Sequence, residues 1–187
     1  MPQAVPAWVV DGVGRLEAAG RLDAPRSALG GAADRLLASD GLDGALRGAW
    51  LGHALHPLLT DFPLGTWTST TLLDLFGGRR SRPAATGLLA FGVATALPTA
   101  AAGVAEWRAS SAPAQRVGVV HAAVNSTALA LYATSLVARA RRRQALAVAT
   151  SVAGGLVATL GGWFGGHLSL VRKIGTADPR FGVGPNP

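Results

Sequence analysis

A chain of 187 residues with only 14% charged and 49% hydrophobic residues is poorly suited to an ordinary soluble domain, where about a quarter of residues are charged. Its net charge of +7 is almost wholly arginine. Those arginines stand in short runs between apolar segments, so they read as membrane-topology signals and no nucleic-acid partner is expected. The lack of cysteine excludes disulfides, iron–sulfur clusters, thiolate metal sites and thiolate- or thioether-held haem.

Residues 1–50 mix five arginines and six acids with apolar residues at helical spacing, such as Leu29, Ala33, Leu36 and Leu37. Pro25, Gly30, Gly31, Gly41 and Gly44 interrupt the pattern. It predicts two or three short amphipathic helices outside the bilayer, with an apolar face on the membrane surface or on the helices that follow. Asp11 and Glu17 in the first twenty residues, without a basic stretch leading into an apolar core, predict no cleavable leader.

Four apolar segments follow in residues 51–175, at about 54–76, 83–105, 117–138 and 145–168. Each approaches the roughly 20 residues a helix needs to cross about 30 Å of hydrocarbon. Backbone groups in lipid must be satisfied internally, so the expected fold is all-α, an integral membrane four-helix bundle. Pro57 disfavours helix at His56 and suits the first helical position, which places the first start there. Pro63 and Pro98 should bend their helices. In the fourth segment Ala158, Gly162 and Gly166 repeat every four residues, a small-residue face that predicts close packing inside the bundle or, alternatively, a homodimer seam. A Gly/Pro-rich tail, 176–187, ends the chain.

The loops 77–83 and 139–144 carry Arg79, Arg80, Arg82, Arg139, Arg141, Arg142 and Arg143, whereas 106–116 has Arg108 and Arg116 opposed by Glu106. Positive-inside then orients the protein in the plasma (inner) membrane with both termini extracytoplasmic. Trp50, Trp107 and Trp163 fall near the outer boundary, as an aromatic belt would.

In that topology all four histidines lie at the outer end. His53 and His56 open the first helix, His121 lies about a turn into the third, and His167 closes the fourth. Asp61, Glu106 and Asn125 stand at similar depth, and Asn125 shares the His121 helix face. Polar, metal-capable groups at the edge of lipid are functional candidates. Neutral imidazole binds haem iron, copper, zinc and nickel. His56 and His121, on diagonal helices, suit the axial ligands of a haem b in electron transfer. Alternatively His53, His56, His121 and His167 with Asp61 hold a copper, zinc or iron ion, for binding or transport, with Glu106 and Asn125 around them. A third reading is a non-catalytic membrane subunit with a hydrogen-bonded histidine network. The bland assignments are an N-cap for Asp61 and an ion pair with Arg79 or Arg80 for Asp74.

The run Trp50-Leu51-Gly52-His53-Ala54-Leu55-His56-Pro57-Leu58-Leu59-Thr60-Asp61-Phe62-Pro63-Leu64-Gly65-Thr66-Trp67 resembles the domain of unknown function 2231 family of bacterial membrane proteins. Gly103-Val104-Ala105-Glu106-Trp107, His121-Ala122-Ala123-Val124-Asn125 and Gly165-Gly166-His167-Leu168 fit the same family, and the match covers about residues 48–175. The resemblance implies a four-helix membrane domain. Some members continue into a Rieske iron–sulfur domain, so any Rieske-type redox partner of this cysteine-free chain is expected to be a separate protein. It implies no particular activity.

Overall fold

The computed structural model describes residues 5–175. The tail 176–187, with Arg180, lies outside them. Among the described residues the chain is all helical: α1 (Ala7–Glu17), α2 (Asp23–Leu36), α3 (Asp40–Arg47), α4 (Leu55–Phe76), α5 (Arg82–Arg108), α6 (Ala112–Ala140) and α7 (Gln144–Gly166). Short 3-10 turns precede α2 and α5, and one π-helical turn, His167–Val171, extends α7.

Three helical stretches are long and apolar enough to cross a membrane, Arg79–Arg108, Ala112–Ala140 and Gln144–Val171. α4 is not among them, although its 22 residues have the expected length. Its composition is divided by face. Leu58, Phe62, Leu72, Leu75 and Phe76 are exposed on one side, whereas His56, Thr70 and Asp74 turn toward the other helices. Averaged along the sequence, the inward polar face hides the outward apolar one.

α4 begins at Leu55, two residues before the expected start at Pro57. A proline in the first turn removes an N–H that would have no partner within the helix, so the helix extends back past it. Asp61 lies inside α4 and is not its cap. Pro63 and Pro98 are both accommodated within helices. Pro63 cannot donate to the Leu59 carbonyl one turn back. The Thr99 hydroxyl on α5 reaches that carbonyl at 3.2 Å while donating to Thr95 O at 2.8 Å.

α4 packs on α5 and α6 on α7, while α5 also meets α6 and α7 meets α4, which closes a ring. Its core holds Trp67, Leu89, Ala96, Ala128, Tyr132 and Ala158. On α7 the inward small-residue face is Gly154, Ala158, Gly161 and Gly165. A Cβ at Gly154, Gly161 or Gly165 would press on Tyr132, Asn125 or His121, whereas one at Gly162 or Gly166 meets nothing within 4 Å. The expected Ala158–Gly162–Gly166 face is therefore one residue out of register after Ala158, because 3.6 residues per turn rotates an exact four-residue repeat off the contact line.

The helices of residues 1–50 dock at the end of the ring where α4 begins: α1 on α6, α2 on α5 and α6, α3 on α4 and α5. Val13 packs with Val117 and Phe164. Arg116 pairs with Asp23 at 2.9 Å and Arg108 with Asp34 at 2.6 Å, so the apolar face is pinned by charges across the boundary.

Candidate functional site

His56 and His121 meet across the ring from α4 and α6, with ring centroids 6.4 Å apart and planes at 83°. Each ring is anchored the same way. His56 Nδ1 lies 2.8 Å from Thr99 O on α5, and His121 Nδ1 lies 3.0 Å from Gly161 O on α7. A carbonyl only accepts, so both Nδ1 atoms carry a proton, and in the neutral ring Nε2 keeps the lone pair. That is the tautomer a metal-ligating histidine uses, its other N–H held by a backbone carbonyl. Each ring also lies against a glycine of the helix that anchors it. A Cβ on Gly103 would come 2.9 Å from the His56 ring, and one on Gly165 would come 3.1 Å from His121.

Asn125, one turn along α6, places Nδ2 2.9 Å from His121 O and beside the ring, 3.2 Å from His121 Nδ1 and 3.3 Å from Nε2. The other candidates are elsewhere. His53 is exposed and bonds Ala54 O through Nδ1 at 3.0 Å. Asp61 is exposed on α4. His167 Nε2 lies 3.3 Å from Glu17 on α1, and Glu17 also pairs with Arg172 through both oxygens. Burial opposes ionisation of Glu17, yet its bonds to Arg172 and His167 hold the carboxyl below its usual range. Glu106 is buried near the end of α5. Among the described residues no three His, Asp or Glu side chains come together as metal ligands. The glycine contacts bring α5 and α7 directly against the two imidazoles.

The opposite end of the same two helices carries a second cross-ring contact. Asp74 does not meet Arg79 or Arg80; it pairs with Arg139 of α6, the two side chains 1% and 4% exposed. Each pair joins positions 65 residues apart, as Asp74 and Arg139 do. His56 and Asp74 are about 18 residues apart, as are His121 and Arg139, which is about five turns and returns to the same helix face after ~27 Å.

The common separation extends further. Trp67 stacks on Tyr132, centroids 4.3 Å apart. Thr70 donates to Ala85 O across 15 residues, and Ser135 to Ala147 O across 12. His56 reaches Thr99 across 43 residues, and His121 reaches Gly161 across 40. The hairpin α6–α7 thus repeats α4–α5 with a connection three residues shorter. Arg139, expected in the loop 139–144, lies instead in the last turn of α6 and is buried against Asp74; the equal spacings from His56 to Asp74 and from His121 to Arg139 are a signal that would have found this role.

A family model described as predicted membrane protein (DUF2231) matches residues 52–178. No curated protein and no solved structure matches the chain.

Proposed function

The chain belongs to the DUF2231 family of predicted membrane proteins, and on that footing we propose that α4–α7 form a transmembrane four-helix bundle whose imidazole pair, His56 and His121, holds one metal ion. The observation that carries this reading is the matched anchoring of both Nδ1–H groups on backbone carbonyls, which turns the Nε2 atoms of two adjacent rings to ligand duty, with the Asn125 amide 3.3 Å from that of His121 and displaced when a metal binds. Imidazole suits copper, zinc and iron. Zinc takes four ligands, or three and a water. Two nitrogen donors suffice for monovalent copper, so copper is the first choice.

Copper supplies a one-electron couple when bound, and the residues around it define how it is reached. α1–α3 cover this end, and on this reading electrons are exchanged with a separate protein that docks on them, of which a Rieske-type protein is one example. On this reading the arginine-rich loops 77–83 and 139–144 face the cytoplasm and both termini lie outside the plasma membrane. A single cysteine at Arg80 that labels with an impermeant thiol reagent in intact cells would refute this orientation.

The decisive experiment is elemental analysis of purified protein after growth with copper, zinc or iron. Wild type and His53→Ala should carry about one copper ion per chain, and His56→Ala and His121→Ala should carry none. Equal metal in all four, or no metal in wild type under any loading, refutes the site and leaves a hydrogen-bonded histidine network. Expression with ample haem should give no Soret band. A band lost in both His56→Ala and His121→Ala would instead establish haem b on these ligands.

A further inference from the structure

We propose that the arginine-rich end of the four long helices binds the headgroup of an anionic phospholipid that carries a hydroxyl, such as phosphatidylglycerol. A cavity of about 170 Å³ lies there, lined by Asp74, Gly78, Arg79, Arg82, Gln144 and Val148. Arg79 and Arg82 are exposed. Asp74 is already neutralised by Arg139, so the lining carries a net positive charge.

One helix N-terminus borders the same space: α7 begins at Gln144 without a side-chain cap. Its first-turn amides and the positive end of the helix dipole favour a phosphate. α5 adds no such amides, because the Arg82 N–H is bonded to Arg79 O and Pro83 has none. The independent observation is Asp74 itself. Its side chain is 1% exposed and lines the cavity, and Oδ1 has no hydrogen-bond partner among the described residues, as is also true of Nε and Nη1 of its partner Arg139. Buried polar groups left unmade are costly, and a polar ligand in the cavity would satisfy Oδ1. The proposed ligand offers a phosphate to Arg79 and Arg82 and a hydrogen-bond donor beyond it. Phosphatidylglycerol meets both needs. Phosphatidylcholine has neither net negative charge nor a headgroup donor, and phosphatidylmethanol has the charge without the donor. The site is independent of the histidine pair.

Native mass spectrometry of the full-length protein in detergent, titrated with each lipid, tests this. Phosphatidylglycerol should bind at least tenfold more tightly than phosphatidylcholine and severalfold more tightly than phosphatidylmethanol. Arg79→Gln with Arg82→Gln, both exposed and neither a member of the buried pair, should lower phosphatidylglycerol affinity about tenfold while the thermal midpoint in detergent holds. Equal affinity for phosphatidylglycerol and phosphatidylcholine, or an unchanged double variant, overturns the site. Equal affinity for phosphatidylmethanol removes the role of Asp74. Competition by sn-glycerol 3-phosphate or inorganic phosphate as effective as by the lipid would reassign the cavity to a soluble phosphate.

Discussion

Trp67 of α4 stacks on Tyr132 of α6 with ring centroids 4.3 Å apart and planes within 22° of parallel. It is the middle of three contacts between these helices, flanked by His56–His121 at one end and Asp74–Arg139 at the other. All three join positions separated by the same 65 residues. Two equivalent hairpins facing each other across an axis give this pattern, and each contact then joins equivalent positions. The repeat puts a like pair, histidine on histidine, where a shared ion would lie. It puts opposite charges where a buried pair must be neutral.

Truncating one side of the buried ion pair should be severely destabilising. Asp74→Ala leaves Arg139 charged in a site 4% exposed, at a cost of about 3–5 kcal/mol. Asp74→Leu with Arg139→Met should recover most of that loss. Thermal unfolding in detergent measures it, and a double variant as unstable as the single one would contradict the account.

The glycines of α7 should divide by face. Gly161→Ala forces a Cβ to 2.5 Å from the Asn125 side chain, whereas Gly162→Ala meets nothing within 4 Å. The first should lower stability by about 1–3 kcal/mol through overpacking. The second should be neutral or slightly stabilising, since alanine is the better helix former. Equal midpoints for the two variants would show that the inward face has been misassigned.

Thr99 should matter because Pro63 exists. Its hydroxyl lies 3.2 Å from the Leu59 carbonyl that proline leaves without a helical donor. Thr99→Val should cost about 1 kcal/mol in the wild-type background. In a Pro63→Ala background the helix supplies the missing N–H, so the same change should cost measurably less. An additive double-mutant cycle would break the link between them.

Acid should loosen the docking of α1–α3. A hydrogen bond from Arg116 holds Asp23 below its ordinary value of 3.8, and one from Arg108 does the same for Asp34. Glu17 lies below 4.5, its burial outweighed by the bonds from Arg172 and His167. Groups with a depressed folded pKa stabilise above the unfolded pKa and lose that contribution as pH falls through the folded one. Docking should therefore be constant from neutral pH down to about 4.5 and weaken below it. Limited acid proteolysis, scored by cleavage between residues 17 and 40, reads this out. Loss of protection already at pH 6 would point to a different group.

The sequence by itself determined the helical class, the four long segments, the gathering of His56 and His121 at one end and the arginines at the other. These follow from composition and one-dimensional periodicity, because a helix in lipid must satisfy its own backbone and keep its charges near the boundaries. Tertiary structure decided which polar groups meet. Hydropathy averages around a helix and carries no azimuth, so it could not say that Asp61 faces outward, that His167 turns to Glu17, or that Asp74 crosses to Arg139 and not to its neighbours in the loop. Nor could it show α4 as polar inside and apolar outside. Those choices were set by the packing of one hairpin against its repeat, which fixes rotation as well as depth.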